Sequence, residues 1–378
     1  MNKFQKLYDA INSGKTILCV GPMSKNCTDA AIELANENQI PIILIPSRRQ
    51  VECKSLGGGY VMDTEDFVPY VRTRDKGNYV FIERDHGGVY QGTNESKLDL
   101  EKATENTMKS YFADVNCGLD IVELDCSLIN KDLNSVLLHN RLMYQFCEDI
   151  TESEHIIYEF EFEEHSAKKT DIKDFKNVLD FISKTKRNDN IKFVVGNVGL
   201  YVREVENVGQ VDFDLLKDLV DLSEGAGLYF KAHNCDYIDS ETASKMNKAG
   251  VAAINIAPEF GVIETRALGA ELLLNDLNNE NPLCEDIIES EFIKFTNVAF
   301  ESNKWKKWMI DENKSFDNNN ERKGYMAAIA GHYVFNHPEV IEIKRKLQEK
   351  YDLDSILKNA VKDKIKEYLV SLGWKINV

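Results

Sequence analysis

Two apolar runs in this chain end with carboxylates and imidazoles side by side. One reads Tyr79-Val-Phe-Ile-Glu-Arg-Asp85-His86-Gly87-Gly88, the other Leu228-Tyr-Phe-Lys-Ala-His233-Asn234-Cys235-Asp236. Groups of this kind at the edge of a buried strand are costly to desolvate unless they hold a metal ion or move a proton. Between the two runs lie Asp125, closing Ile121-Val-Glu-Leu124, and the segment Ile156-Ile-Tyr-Glu-Phe-Glu-Phe162. Period-two alternation in that segment puts Glu159 and Glu161 on one face with Ile157. Two histidines with two carboxylates form a donor set for a divalent cation, Zn²⁺ first and Mn²⁺ next. Each residue also has a plainer reading. A histidine after a strand is commonly a hydrogen-bonded structural residue, and Asp125 or Glu161 serves equally as a cap or an ion-pair partner. The recurrence of the pairing at two strand ends is what favours chemistry.

Residues so distant in sequence meet only if the strand ends converge, as they do at the mouth of a (β/α)8 barrel. The required pattern is present: short apolar runs alternate with helical-period segments over residues 1–275. Candidate strands are 16–21, 40–46, 79–82, 121–124, 156–162, 191–195, 227–232 and 252–256, with helical spacing over 29–36 after the first. Residues 276–378 read as a helical C-terminal extension packed on the barrel, with helices over 290–304, 325–334 and 338–372 and an exposed polar loop over 315–321. At the mouth, Gln50 follows the second strand, Asn197 the sixth, Asn234 and Asp236 the seventh, while Asn255 and Glu259 sit at the eighth. These, apart from Glu259, are candidate substrate contacts. Arg48-Arg49 reads either as a bidentate phosphate grip or as a solvated pair. Gly57-Gly58-Gly59 and Gly87-Gly88 permit positive φ and close ligand approach. Neither is a GxGxxG motif or a P-loop. Glu163, Glu164 and His165 read as a solvated loop, and His139, His155, His332 and His337 are given no role.

The 46 basic and 63 acidic residues leave a formal charge of −17, which argues against a nucleic-acid surface while leaving room for a small anionic substrate held by local arginines. Eight cysteines without CxxC or zinc-finger spacing read as reduced core thiols in a reducing compartment. No signal-peptide region and no window of 18 apolar residues stands out, so a cytoplasmic protein without a membrane span is expected.

Several ordered segments together resemble the GatZ/KbaZ family, the non-catalytic subunit of class II tagatose-bisphosphate aldolase, earlier named tagatose 6-phosphate kinase, some of whose members are ketose or ketose-phosphate 4-epimerases. The segments are Gln50-Val51, Gly58-Gly59-Tyr60 with Met62 to Phe67, Asp85-His86, Leu124 to Ser127, the Glu161 strand and Ala232 to Tyr237; the similarity runs from about residue 16 to 275 and more weakly beyond. The Asp-His pair also resembles its counterpart in class II aldolases. That resemblance implies Asp85 as acid/base, His86 as metal ligand and His233 as a second ligand; the residue pattern itself adds Asp125 and Glu161 to the candidate ligands and Glu161 as the other candidate base. The chain departs from the family at Arg48-Arg49, at Arg84 before Asp85, at Gly87-Gly88-Val89 and at Asn234-Cys235, which implies a changed substrate. The expected activity is a metal-dependent epimerase of a ketose, ketose phosphate or activated ketose, acting at C4 by retro-aldol cleavage and re-addition. The alternative is a non-catalytic stabilising subunit of a class II aldolase. Expected partners are a sugar or sugar phosphate, with a homo-oligomer or an aldolase partner and no nucleic acid.

Overall fold

A computed structural model describes residues 3–129, 132–151, 156–163, 166–185, 189–279, 290–310 and 320–376. Eight parallel strands close into a barrel: β1 (Ile17–Val20), β2 (Ile42–Leu44), β3 (Val80–Arg84), β4 (Ile121–Asp125), β5 (Ile157–Glu161), β6 (Ile191–Gly196), β7 (Tyr229–Ala232) and β8 (Ala253–Ile256). β1 pairs with both β2 and β8, which closes the ring. All eight expected strands are present. Each is followed by a helix: α2 (Lys25–Asn38), α3 (Thr64–Arg74), α4 (Leu100–Cys117), α5 (Leu133–Ile150), α6 (Ile172–Thr185), α7 (Phe213–Gly225), α8 (Ser240–Lys248) and α9 (Pro258–Asn279). Aspartates 99, 132, 212 and 239 cap α4, α5, α7 and α8 by accepting backbone N–H bonds, which fixes where these helices start.

Side-chain parity divides the strands. Even-numbered residues such as Leu18, Leu44, Ile82, Leu124, Phe160 and Phe230 pack outward against the helices. The inner face begins with an apolar layer of Ile17, Ile43, Phe81, Ile121, Ile157, Phe193 and Ala253, which the preceding helix α1 (Lys3–Asn12) stoppers with Phe4, Leu7 and Ala10. The barrel is therefore dry and apolar at one end, and its polar residues are confined to the other.

Beyond α9 come α10 (Glu291–Glu301), α11 (Asn320–Ala330), α12 (Pro338–Gln348) and α13 (Leu353–Ser371). The long helical stretch expected over 338–372 is broken into two helices, with Asp352 capping the second. Val361, Ile365, Tyr368 and Leu369 of α13 belong to the outer barrel core, whereas Phe295, Ala299, Ala327, Val340 and Ile343 form a separate core with Leu268 and Leu272 of α9. His155, Glu164, His165 and residues 315–319 of the expected loop lie outside the described residues. The described cysteines are free, and no described helix is long and apolar enough to cross a membrane.

Candidate metal centre

Above the apolar layer the odd-numbered positions of β3, β4, β5 and β7 turn ionic: Glu83, Glu123, Glu159 and Lys231, all essentially inaccessible to solvent. Lys231 Nζ lies 2.8 Å from Glu83 Oε2 and 2.8 Å from Glu159 Oε2. Burial works against the Lys231 cation, but Glu159 and Glu83 outweigh it and hold it well above the usual range. Burial also opposes ionisation of Glu159, yet Lys231 and the His233 hydrogen bond overcome it and bring its carboxyl down to about 2. Glu83, pressed by burial and by the Glu159 charge, is pushed up to about 8.

One step further along the same strand faces come Asp85, Asp125, Glu161 and His233, joined by His86 from the end of β3. The ladder sets Glu123 beside Glu159 and Asp125 beside Glu161. The two imidazole rings stand edge to face with centroids 5.9 Å apart. Each has a carboxylate behind it. Asp125 Oδ2 lies 3.0 Å from His86 Nδ1, and Glu159 Oε1 lies 3.1 Å from His233 Nε2. Such a carboxylate fixes the tautomer and leaves the opposite ring nitrogen as the electron-pair donor. The opposite nitrogens face more acid: His86 Nε2 is 3.8 Å from Asp85 Oδ2, and His233 Nδ1 is 3.4 Å from Glu161 Oε2. Burial disfavours both imidazolium forms, but the surrounding carboxylates raise both rings above the ordinary histidine value, Asp85 foremost for His86 and Glu159 for His233. Burial, with Asp125 next, pushes Glu161 up to about 8, and burial with the Glu161 charge raises Glu123.

This donor set fits a divalent cation. Glu161 Oε2 and Glu123 Oε1 are buried and accept no N–H or O–H from another described residue, so they are satisfied only by a proton that the two carboxyls share or by a cation in its place. Ligand atoms of Asp85, His86 and His233 lie within 4.8 Å of one another, as do those of His86, Glu123, Asp125 and Glu161, and those of Glu123, Glu159 and His233. No single group holds all four expected ligands: His86, Asp125 and Glu161 share one, and the two histidines share another. Asp125 is the most heavily engaged. It takes His86 Nδ1 and Gln91 Nε2 on Oδ2, with Ser127 N and Oγ on Oδ1. Gly88 explains part of the construction: a Cβ there would lie 1.6 Å from the Asp125 carbonyl oxygen. The glycine serves close packing of the β3 and β4 ends, not the ligand approach expected from sequence.

The remaining expected contacts divide. A cavity of about 350 Å³ at the mouth is lined by Arg49, Gln50, Asp85, His86, Asp125, His233, Asn234, Asp236 and Asn255, and a small neighbouring recess adds Glu161 and Asn197. Asn255 Nδ2 donates to Asp85 Oδ1 over 2.9 Å. Gln50 Oε1 accepts from Ser47 N, and Asn197 bridges Ser166 O and Gly199 N. His86 and Asn234 both adopt left-handed backbone, at φ 46 and 59, strain that concentrates at functional sites. Arg48 corrects the sequence reading. It is buried away from the cavity, paired with Glu52 at 2.7 Å and Glu95 at 2.7 Å, and has no guanidinium face left for substrate. Asp236 is a cap as well as a lining residue: Oδ1 accepts Ala257 N and Glu259 N at the start of α9. Glu259 in turn accepts Tyr237 N and Tyr368 Oη.

Sequence reasoning missed two sets of residues. Glu83, Glu123 and Lys231 stand two positions before Asp85, Asp125 and His233, so the strand period alone could have found them. Arg203 from the short antiparallel hairpin after β6, with Lys307, Trp308 and Tyr333 from the helical extension, completes the cavity wall. Nothing in their local sequence signals it.

Fold and mouth together define a (β/α)8 barrel whose C-terminal end is built around two imidazoles and a ring of carboxylates. In fold the chain is similar to a probable tagatose 6 phosphate kinase from Sinorhizobium meliloti 1021, at 14% identity over 94% of this chain and 100% of that one, with a TM-score of 0.77. It is also similar to the fructose-bisphosphate aldolase of Campylobacter jejuni (13% identity, 98% and 93% coverage, TM-score 0.56) and to the YdjI aldolase of Escherichia coli K12 (14%, 97% and 96%, TM-score 0.50). No family model and no curated protein sequence matches the chain. At these identities the likeness establishes a shared (β/α)8-barrel fold.

Proposed function

We propose that this protein is a metal-dependent epimerase of a ketose or ketose phosphate, working at C4 by retro-aldol cleavage and re-addition. The observation that carries the reading is the convergence of Asp85, His86 and His233 within ligand distance at the barrel mouth, in a fold shared with aldolases. His86 through Nε2 and His233 through Nδ1, each backed by a carboxylate, would hold the cation together with Glu161, and Asp125 would orient His86 from behind. Zn²⁺ is the preferred ion and Mn²⁺ the next, and when bound it would supply Lewis acidity at the ketose carbonyl oxygen.

Asp85 is the proton carrier of the two candidates. Its Oδ1 is held by Asn255, which leaves Oδ2 facing the cavity beside His86; Glu161 Oε2 instead points between the two imidazoles. Asp85 takes the proton of the C4 hydroxyl, the C3–C4 bond opens, and its electron pair enters the enediolate of the three-carbon fragment. The aldehyde turns over within the cavity and the enediolate adds to its other face, while Asp85 returns the proton to the new C4 oxygen. The mouth needs no further base, since every atom lost in cleavage is regained on re-addition.

The test is product analysis by NMR in deuterated water, with purified, metal-analysed protein alone on fructose, tagatose and their phosphates. Interconversion without solvent deuterium on carbon supports the reading. Deuterium at C3 replaces it with deprotonation beside the carbonyl. Absence of turnover, together with stimulation of a co-purified class II aldolase, replaces it with the stabilising-subunit reading.

A further inference from the structure

The cavity has opposite charge at its two ends. Its floor is the buried carboxylate and imidazole cluster. Its lining also carries three cations from three separate segments: Arg49 after β2, Arg203 in the short antiparallel hairpin after β6, and Lys307 in the helical extension. Arg49 and Lys307 are exposed and make no ion pair with any described residue. Arg203 lies over the Tyr201 ring at 3.9 Å, and Lys307 lies 4.7 Å from the Trp308 ring and 4.9 Å from that of Tyr333. The aromatic groups hold these cations beside the opening. Trp308 Nε1 donates to Tyr333 Oη over 3.2 Å, and Tyr333 meets Tyr60 edge to face at 5.1 Å, so this wall of the opening is itself braced.

A second observation bears on where an acidic ligand group could go. The N–H groups at the start of α9, just beyond β8, are the natural anion cradle of such a mouth. Here they are already filled. Asp236 Oδ1 accepts Ala257 N at 3.0 Å and Glu259 N at 2.9 Å, and the side chain is buried. A phosphate or carboxylate arriving there would meet an acidic oxygen in place of free amides. Glu163 lines the cavity as well, so away from the proposed metal ligands the charged side chains below the opening are acidic.

We propose that the substrate carries an anionic group on the end remote from the proposed metal ligands, and that Arg49, Arg203 and Lys307 at the rim receive it in place of the α9 amides. This rests on the ketose reading above and narrows it: a ketose with a terminal phosphate or carboxylate, its carbonyl end at the floor and its charge at the opening.

Calorimetric titration of metal-loaded protein with D-fructose, its 6-phosphate and the matching 6-carboxylate tests the assignment. Expected is tighter binding of an acidic ketose than of fructose by about tenfold or more, the scale of one to two charge-assisted contacts. The Arg49→Ala/Lys307→Ala variant, with wild-type metal content, should lose that preference, so that acidic and neutral ketoses bind alike. Preference for the phosphate or for the carboxylate identifies which acid the rim serves. Equal binding of neutral and acidic ketoses by the wild type overturns the rim and leaves the epimerase reading standing. An acidic preference that survives the double variant also overturns it. Binding of none of the three overturns both.

Discussion

Lys231→Met tests the ionic layer beneath the mouth. The ammonium sits 2.8 Å from each of two glutamates, in a place that excludes water. With Glu159 at about 2 and Glu83 at about 8, Lys231 and its two partners amount at neutral pH to one cation, one carboxylate and one carboxylic acid. Methionine keeps the length of the side chain and removes the charge, which strands Glu159. Breaking a buried pair in this way costs about 3–5 kcal/mol, a large part of a typical domain's stability. The sign of the pH dependence follows. Wild-type Glu159 is ionised in native and unfolded chains at both pH 7 and pH 5, since its folded value lies below the unfolded 4.5. In the variant its folded value rises above 4.5, so the native chain keeps a proton that the unfolded chain releases, and stability grows as pH falls. If burial carries that value above 7, the gain over two pH units reaches about 2.7 kcal/mol. Glu83 is protonated in both native proteins and drops out of the difference. Urea unfolding in EDTA should therefore show a smaller penalty at pH 5 than at pH 7, by up to about 2.7 kcal/mol. Adding Glu159→Gln should rescue the variant and adding Glu83→Gln should not. A penalty that does not change with pH, or rescue by the Glu83 change alone, refutes the assignment of charge to Glu159.

Two further expectations follow from the same geometry. His233→Ala should lose bound metal and activity together, whereas Asp85→Asn should retain metal and lose activity; elemental analysis beside the turnover assay checks both halves, and full metal content in the histidine variant ends that ligand assignment. His332 is buried with neither ring nitrogen hydrogen-bonded among the described residues, and burial, with Lys307 next, brings it down to about 3. It stays neutral while the unfolded chain takes up a proton below about 6.5, so stability falls on acidification by about 2 kcal/mol between pH 8 and pH 5 from this site alone. In His332→Leu that component should be absent from urea midpoints measured at the two pH values.

The strands were legible because each is a short apolar run that ends in a polar signal, and the barrel followed from their number and alternation with helices. The mouth was legible in part. Asp85, His86 and His233 announce themselves as charged groups at apolar run ends, and Glu161 through the alternation of its strand. What stayed hidden was hidden for physical reasons. Arg48 and Arg49 are the same residue type one position apart, yet one is clamped by Glu52 and Glu95 and the other reaches the cavity, a choice made by partners distant in sequence. Asp236 looked like a substrate contact because cap and ligand use the same oxygen. Lys307, Trp308 and Tyr333 enter the wall only through the packing of the extension on the barrel, which no local period encodes.

The layering of the barrel interior bears on why so many charges are tolerated within one ring of strands. Were the carboxylates spread along the barrel axis, each would need its own compensation. Instead the lower layer is hydrocarbon stoppered by Phe4 and Leu7, and the acids above it share two neutralising devices. Lys231 serves Glu83 and Glu159. The imidazoles serve Asp85, Asp125 and Glu161. Glu159 belongs to both, since one oxygen meets Lys231 and the other meets His233. Through it the permanent cation of the lower device fixes the ring orientation of the upper one, so a change at Lys231 should reach metal affinity without touching a ligand. The residues of the proposed centre are thus backed by an ion pair sealed off from solvent, with His233 anchored to it through Glu159.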